Sequence, residues 1–181
     1  MQRALLACAA AGLLLTACGG DAGPGKVHLY DRAPVPAVPE RTLPIGAALV
    51  TNGAIVGTLP DGAYWATVAP SSDATRLRFD LSQAVFGPMC VTQLGPDGCP
   101  DDYGVIEEPH GTLTVELATI DSVTVAAQNR QNYAITPAEL QVLVAGGSPT
   151  AAPAGFTYVD YPFLLDVLRG TVVEAHQIWL A

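Results

Sequence analysis

The chain has 181 residues, with 8 Lys plus Arg against 17 Asp plus Glu and a formal net charge of −9. That length is one domain's worth, enough to bury a real core. Lys26 is the sole lysine, and there is no basic cluster after the first 17 residues, so the acidic balance opposes binding to anionic headgroups and sets nucleic acid aside as a partner.

Met1 to Ala17 reads as an export leader. Arg3 supplies the positive start, and Ala4 to Leu15 runs without a charge. The run is about twelve residues where a spanning helix needs about twenty, so it is a signal-peptide core and not a permanent transmembrane segment. Leu15-Thr16-Ala17-Cys18 resembles a bacterial lipobox. That resemblance implies that residues 1–17 are a lipoprotein signal peptide and that Cys18 is acylated. The membrane is then a partner through Cys18, on the extracytoplasmic face. Ordinary secretion with a free Cys18 is the alternative.

Residues 18–45 read as a flexible Gly/Pro-rich tether. Gly19, Gly20, Gly23 and Gly25 loosen it, while Pro34, Pro36, Pro39 and Pro44 favour extended polyproline II and forbid helix. His28 and Tyr30 fall in this stretch and are expected to be exposed. Residues 46–181 are expected to form a single β-rich domain. Asn52-Gly53, between Ala47-Ala48-Leu49-Val50-Thr51 and Ala54-Ile55-Val56, is a hairpin signal. A strand follows over Ala63 to Val68, with Tyr64, Ala66 and Val68 on one face. Leu77, Phe79 and Leu81 then alternate with Arg76, Arg78 and Asp80, as in a half-buried strand.

Residues 88–111 read as the longest irregular stretch, pinned by a bridge between Cys90 and Cys99, with room for a short helical turn over Ser82 to Phe86 or around Cys90. Such a bridge closes a loop of about ten residues and contributes roughly 2–3 kcal/mol. The two thiols are too far apart in sequence for a redox Cys-x-x-Cys. Thr112 to Leu117 alternates again, and Val123 to Val125 and Tyr133 to Ile135 are short strands. Thr136-Pro137-Ala138-Glu139 is a capping box opening a helix to about Val144, with Leu140, Leu143 and Val144 facing the core. A hairpin over residues 163–180 turns at Arg169-Gly170. In it Glu174 and His176 share parity with Val172 and Ile178, which a β-bulge would repair. The expected class is mainly β, a small antiparallel β-barrel or sandwich with one short α-helix. Tyr64, Trp65, Tyr103, Tyr158, Tyr161 and Trp179 are the candidates to line a carbohydrate or peptide groove; the alternative is that Trp65 and Trp179 fill the interior.

The sequence is similar to a group of uncharacterised actinobacterial secreted or lipid-anchored small β-domain proteins. The residues that carry the likeness are Asp61-Gly62-x-Tyr64-Trp65, Phe79-Asp80, the Cys90 and Cys99 loop, Asp101-Asp102-Tyr103, and Arg169-Gly170-x-Val172 through Ile178-Trp179. It spans roughly residues 60 to 180. The resemblance implies the fold and the cell-envelope address, and no catalytic residue comes with it.

Asp97, Asp101, Asp102, Glu107 and Glu108 crowd one loop beside His110, and calcium wants several oxygen ligands from such a backbone. They lack the Asp-x-Asp-x-Asp-Gly spacing, so a solvated acidic turn is the expected state, with no metal and no cofactor. No serine sits in a Gly-x-Ser-x-Gly elbow, and neither His110 nor His176 has a recognisable nucleophile by motif. Glu174 and Asp166 pair as in glycoside hydrolysis only if the hairpin register brings them together. The expected function is a non-enzymatic binding or accessory module for an unknown cell-envelope protein or ligand. A small cell-envelope hydrolase is the alternative.

Overall fold

Period-two alternation builds most of the molecule. The computed structural model describes residues 28–39 and 50–179; the leader, Cys18 and much of the tether lie outside the described residues. In chain order the elements are β1 (Asp31–Ala33), β2 (Val50–Thr51), β3 (Ala54–Ile55), β4 (Gly62–Ala69), β5 (Arg76–Phe86), α1 (Gly87–Leu94), β6 (Tyr103–Glu116), a 3₁₀ turn (Leu117–Thr119), β7 (Ser122–Ala126), β8 (Asn132–Ile135), α2 (Pro137–Val144), β9 (Phe163–Leu168) and β10 (Thr171–Gln177). The strands form one sheet in the order β1-β8-β7-β10-β9-β4-β5-β6-β3-β2. Most pairs are antiparallel, but β10 runs parallel to β7 and β3 parallel to β6.

The sheet is open, so the fold is sandwich-like rather than a closed barrel. It curls enough for strands far apart in the order to share one core. Tyr64, Ala66 and Val68 of β4, Leu77, Phe79 and Leu81 of β5, and Val123 and Val125 of β7 all belong to it. Helix α2 inserts Leu140 and Leu143 into the same core. Its start is the one the sequence signals, with Pro137 in the first turn and Thr136 Oγ1 accepting from the Glu139 N–H at 3.1 Å.

The turns follow their residues. Asn52 and Gly53 take φ of 50° and 78°, and Arg169 and Gly170 take 54° and 72°, the left-handed pairs that tight hairpins need. The bulge in the last hairpin lies between Val172 and Glu174.

Several expectations are corrected. Tyr30 is buried at 7 % exposed, stacked edge-on against Tyr133 and Phe156, while His28 is exposed. β1 joins the sheet against β8, so part of the stretch read as tether belongs to the folded unit. The stretch 88–111 is not mainly irregular. It holds a second helix, α1, and the first half of β6, whose register against β5 breaks between Leu81 and Gln83. Residues 107–110 of β6 fill that break. An alternation test misses a strand interrupted by such an excursion. Trp65, at 1 % exposed, fills the outer face and not the core between strands. It packs with Ala84, Leu164 and Ile178, and Val38 of the proline stretch covers this cluster. Trp179 is half-buried, with the Arg130 guanidinium 3.8 Å from its ring centroid.

Candidate functional site

The bulge in β10 decides which side chains reach the outer face. One extra residue, Val173, reverses the parity of the strand after it. Ala175 then faces the core, and Glu174 and His176 face outward. Two adjacent cross-strand rows result. In the first, Ala63 of β4 stands beside Asp166 of β9, which stands beside Glu174 of β10. In the second, Trp65 is followed by Leu164, His176 and Thr124.

Side-chain hydrogen bonds join the rows. His176 Nε2 lies 2.9 Å from Glu174 Oε2, and His176 Nδ1 lies 3.0 Å from Thr124 Oγ1. An ionised carboxylate only accepts, so Nε2 carries the ring proton. In the neutral ring Nδ1 then accepts from the Thr124 hydroxyl. The trio fixes the Glu174 carboxylate from below.

Pro36, Ala37 and Pro39 run across this face and close one side of a groove of about 370 Å³. Its floor and far wall include Ala63, Leu164, Asp166, Glu174 and His176. The register therefore does bring Glu174 and Asp166 together as direct cross-strand neighbours. Two like charges so placed oppose folding by roughly 0.2–1 kcal/mol. Among the described residues no Arg forms an ion pair with either carboxylate: Arg76 is held by Asp73 and Glu116, Arg78 by Asp80, Arg130 stands on Trp179, and neither Arg32 nor Arg169 reaches them.

No family model, curated protein or solved structure matches this chain.

The acidic loop has a different character. The Cys90–Cys99 disulfide ties the buried side of α1 to the loop, with Cα atoms 5.9 Å apart, and packs with Val85. Asp97, Asp101 and Asp102 are exposed, and Asp102 takes a positive φ of 61°. The backbone closes the loop, with the Gly87 N–H donating to the Asp102 carbonyl at 2.6 Å. Glu107 and Glu108 sit in the β6 excursion, and their side chains lie outside the described residues. Among the described residues no three His, Cys, Asp or Glu side chains are placed to hold a metal ion. Tyr103 follows the loop; burial first, and then Asp101, push its phenol above the usual value. His110 is exposed on the same excursion. The aromatic residues do not gather into one groove: Tyr64 is in the core, Trp65 stacks on Tyr103 at 5.7 Å, and Tyr161 tilts against Trp179 at 6.2 Å.

One polar centre is not signalled as such by the sequence. Glu139 is buried at 4 % exposed. Its Oε1 accepts from the Tyr30 hydroxyl at 2.8 Å and the Thr150 N–H at 2.7 Å, and its Oε2 accepts from the Thr150 hydroxyl at 2.6 Å. Burial pushes this carboxyl up, but the Thr150 side chain, the Thr150 backbone and Tyr30 outweigh it and hold it below the usual value. The capping box revealed Glu139 as a helix residue, whereas its partners come from distant parts of the chain.

Proposed function

We propose that this protein is a lipid-anchored, extracytoplasmic, non-enzymatic binding or accessory module of the cell envelope, held at the membrane through Cys18 and working without a cofactor. The observation that supports the module reading is how Thr124, His176 and Glu174 are wired. The three resemble a hydroxyl–imidazole–carboxylate relay, but Thr124 is 6 % exposed and lies beneath the groove rather than in its wall. It sits in β7, which is hydrogen-bonded to β8 on one side and β10 on the other. Backbone N–H groups spent in ladders leave no donors for an oxyanion. The trio thus shapes a surface instead of attacking a substrate. The lipobox-like Leu15-Thr16-Ala17-Cys18 and the similarity to lipid-anchored actinobacterial β-domain proteins support the address.

Membrane fractionation tests the anchoring. The wild-type chain is expected in the detergent-extractable membrane fraction. Cys18→Ala should release it or leave the leader uncleaved. Unchanged membrane association with normal processing would overturn the reading.

One observation favours a second reading, a small cell-envelope glycoside hydrolase: Asp166 and Glu174 are direct cross-strand neighbours lining one groove. A retaining mechanism needs its two carboxyl groups about 5–5.5 Å apart, and the Cβ atoms of direct cross-strand neighbours stand about 4.5–5.5 Å apart, so the two side chains can take up that spacing. Purified peptidoglycan is the probe. Release of reducing ends by the wild type, lost in Glu174→Gln, would establish the hydrolase, and no release by the wild type would remove it.

A further inference from the structure

We infer that the groove under the proline strap binds an ammonium group carried on an aliphatic stem, that is, a lysine-type side chain of a peptide. This deepens the module reading and rests on it. Pro36, Pro39 and Leu164 give the groove apolar walls, and Asp166 and Glu174 stand side by side at its end with His176 against Glu174. The volume of about 370 Å³ suits a side chain with its flanking backbone and is too small for a folded partner.

Charge complementarity names the occupant. Among the described residues no arginine pairs with the two carboxylates, and His176 answers only Glu174, through the one Nε2 contact at 2.9 Å. The chain's net charge of −9 attracts a cation from a distance. An ammonium has three donors and no acceptor, so one head group can answer Glu174 and Asp166 together. Its methylene stem would lie along the prolines, as long cationic side chains lie along apolar surface. Glu174 cannot swing freely to meet a different geometry, because His176 holds one oxygen and Thr124 holds His176. A rigid acceptor of this kind favours a compact point charge at a fixed position.

The test is a titration of the isotope-labelled mature protein with Nα-acetyl-lysine amide, followed by amide resonances, with Nα-acetyl-norleucine amide as the uncharged equivalent. Saturable shifts are expected at Leu164, Asp166, Glu174 and His176 with the lysine probe only. Asp166→Asn and Glu174→Gln should each weaken binding about tenfold, the cost of losing one charge-assisted partner. Asp166 is exposed and faces a like charge, so its replacement keeps the fold, and the spectrum itself reports this. Equal shifts from both probes would overturn the inference. So would unsaturable shifts spread over Asp97, Asp101 and Asp102, or folded variants that bind as the wild type does. Such failure would leave the Cys18 anchoring untouched, because that reading stands on fractionation. Reducing-end release from peptidoglycan would overturn the module instead.

Discussion

Glu139 sits where a capping-box glutamate would turn back onto its own helix, yet its carboxylate faces the other way. It accepts from Tyr30 and Thr150 and so ties the segment around Tyr30, helix α2 and the loop after it into one knot. Removing one donor leaves a buried charge short of a partner. Tyr30→Phe is therefore expected to cost about 1–3 kcal/mol in urea unfolding. Thr150→Ala should cost a similar amount, and the pair should be non-additive because both act on one carboxylate. The sign of the pH dependence follows from the lowered folded value. Glu139 contributes its full stabilisation above its ordinary value near 4.5 and loses it as pH falls through the lower folded value. Glu139→Gln should flatten the acid limb of a stability-versus-pH curve below about pH 4.5; an unchanged limb would exclude the mechanism. The helix start was legible in Thr136-x-x-Glu139 because capping is local. Tyr30 lies 109 residues away from Glu139, and no local pattern signals a contact of that span.

At the scale of elements, β10 shows what a parity conflict in a sequence means. Glu174 and His176 share parity with Val172, and the chain resolves this with an extra residue at Val173 rather than by burying charge. The register runs Val172–Val167 and then Glu174–Asp166, so deleting Val173 joins these pairs in regular alternation and leaves Glu174 and His176 outward with Ala175 inward. The deletion is therefore expected to keep a cooperative transition in thermal denaturation, and loss of cooperative folding would show that the bulge itself is needed. The conflict was readable in the sequence, but the register that sets Asp166 beside Glu174 was not, since it depends on where Arg169-Gly170 turns. The disulfide is the reverse case: Cys90 and Cys99 were legible from compartment and count. Cys90→Ser with Cys99→Ser is expected to lower stability by roughly 2–3 kcal/mol, measured by the same urea titration.

Across the whole molecule, the strand content came from local alternation, and the order came from pairings that no window contains. β4, β5 and the second half of β6 were each visible as alternating strands. That β10 lies parallel to β7, and that β9 separates β4 from β10, depends on contacts spanning most of the chain. The proline stretch was read by composition as free tether, and composition alone does not reveal that Val38 covers Trp65. That same stretch gives the fold a mechanical character. β1 is the outermost strand at its end of the sheet and pairs with β8, with the Gln131 side chain donating to the Ala33 carbonyl and Tyr30 clamped just ahead of it. Tension entering from the N-terminus therefore peels bonds one at a time instead of shearing a ladder all at once. In an optical trap, pulling between the N- and C-termini should give a first small step, on the order of 40 Å for about a dozen released residues, before the main rupture. Tyr30→Phe should lower the force of that first step and spare the second. A chain pulled against a surface would thus yield at its edge first and lift away the Pro36–Pro39 side of the groove, so that tension opens the groove while the strands beneath it stay folded.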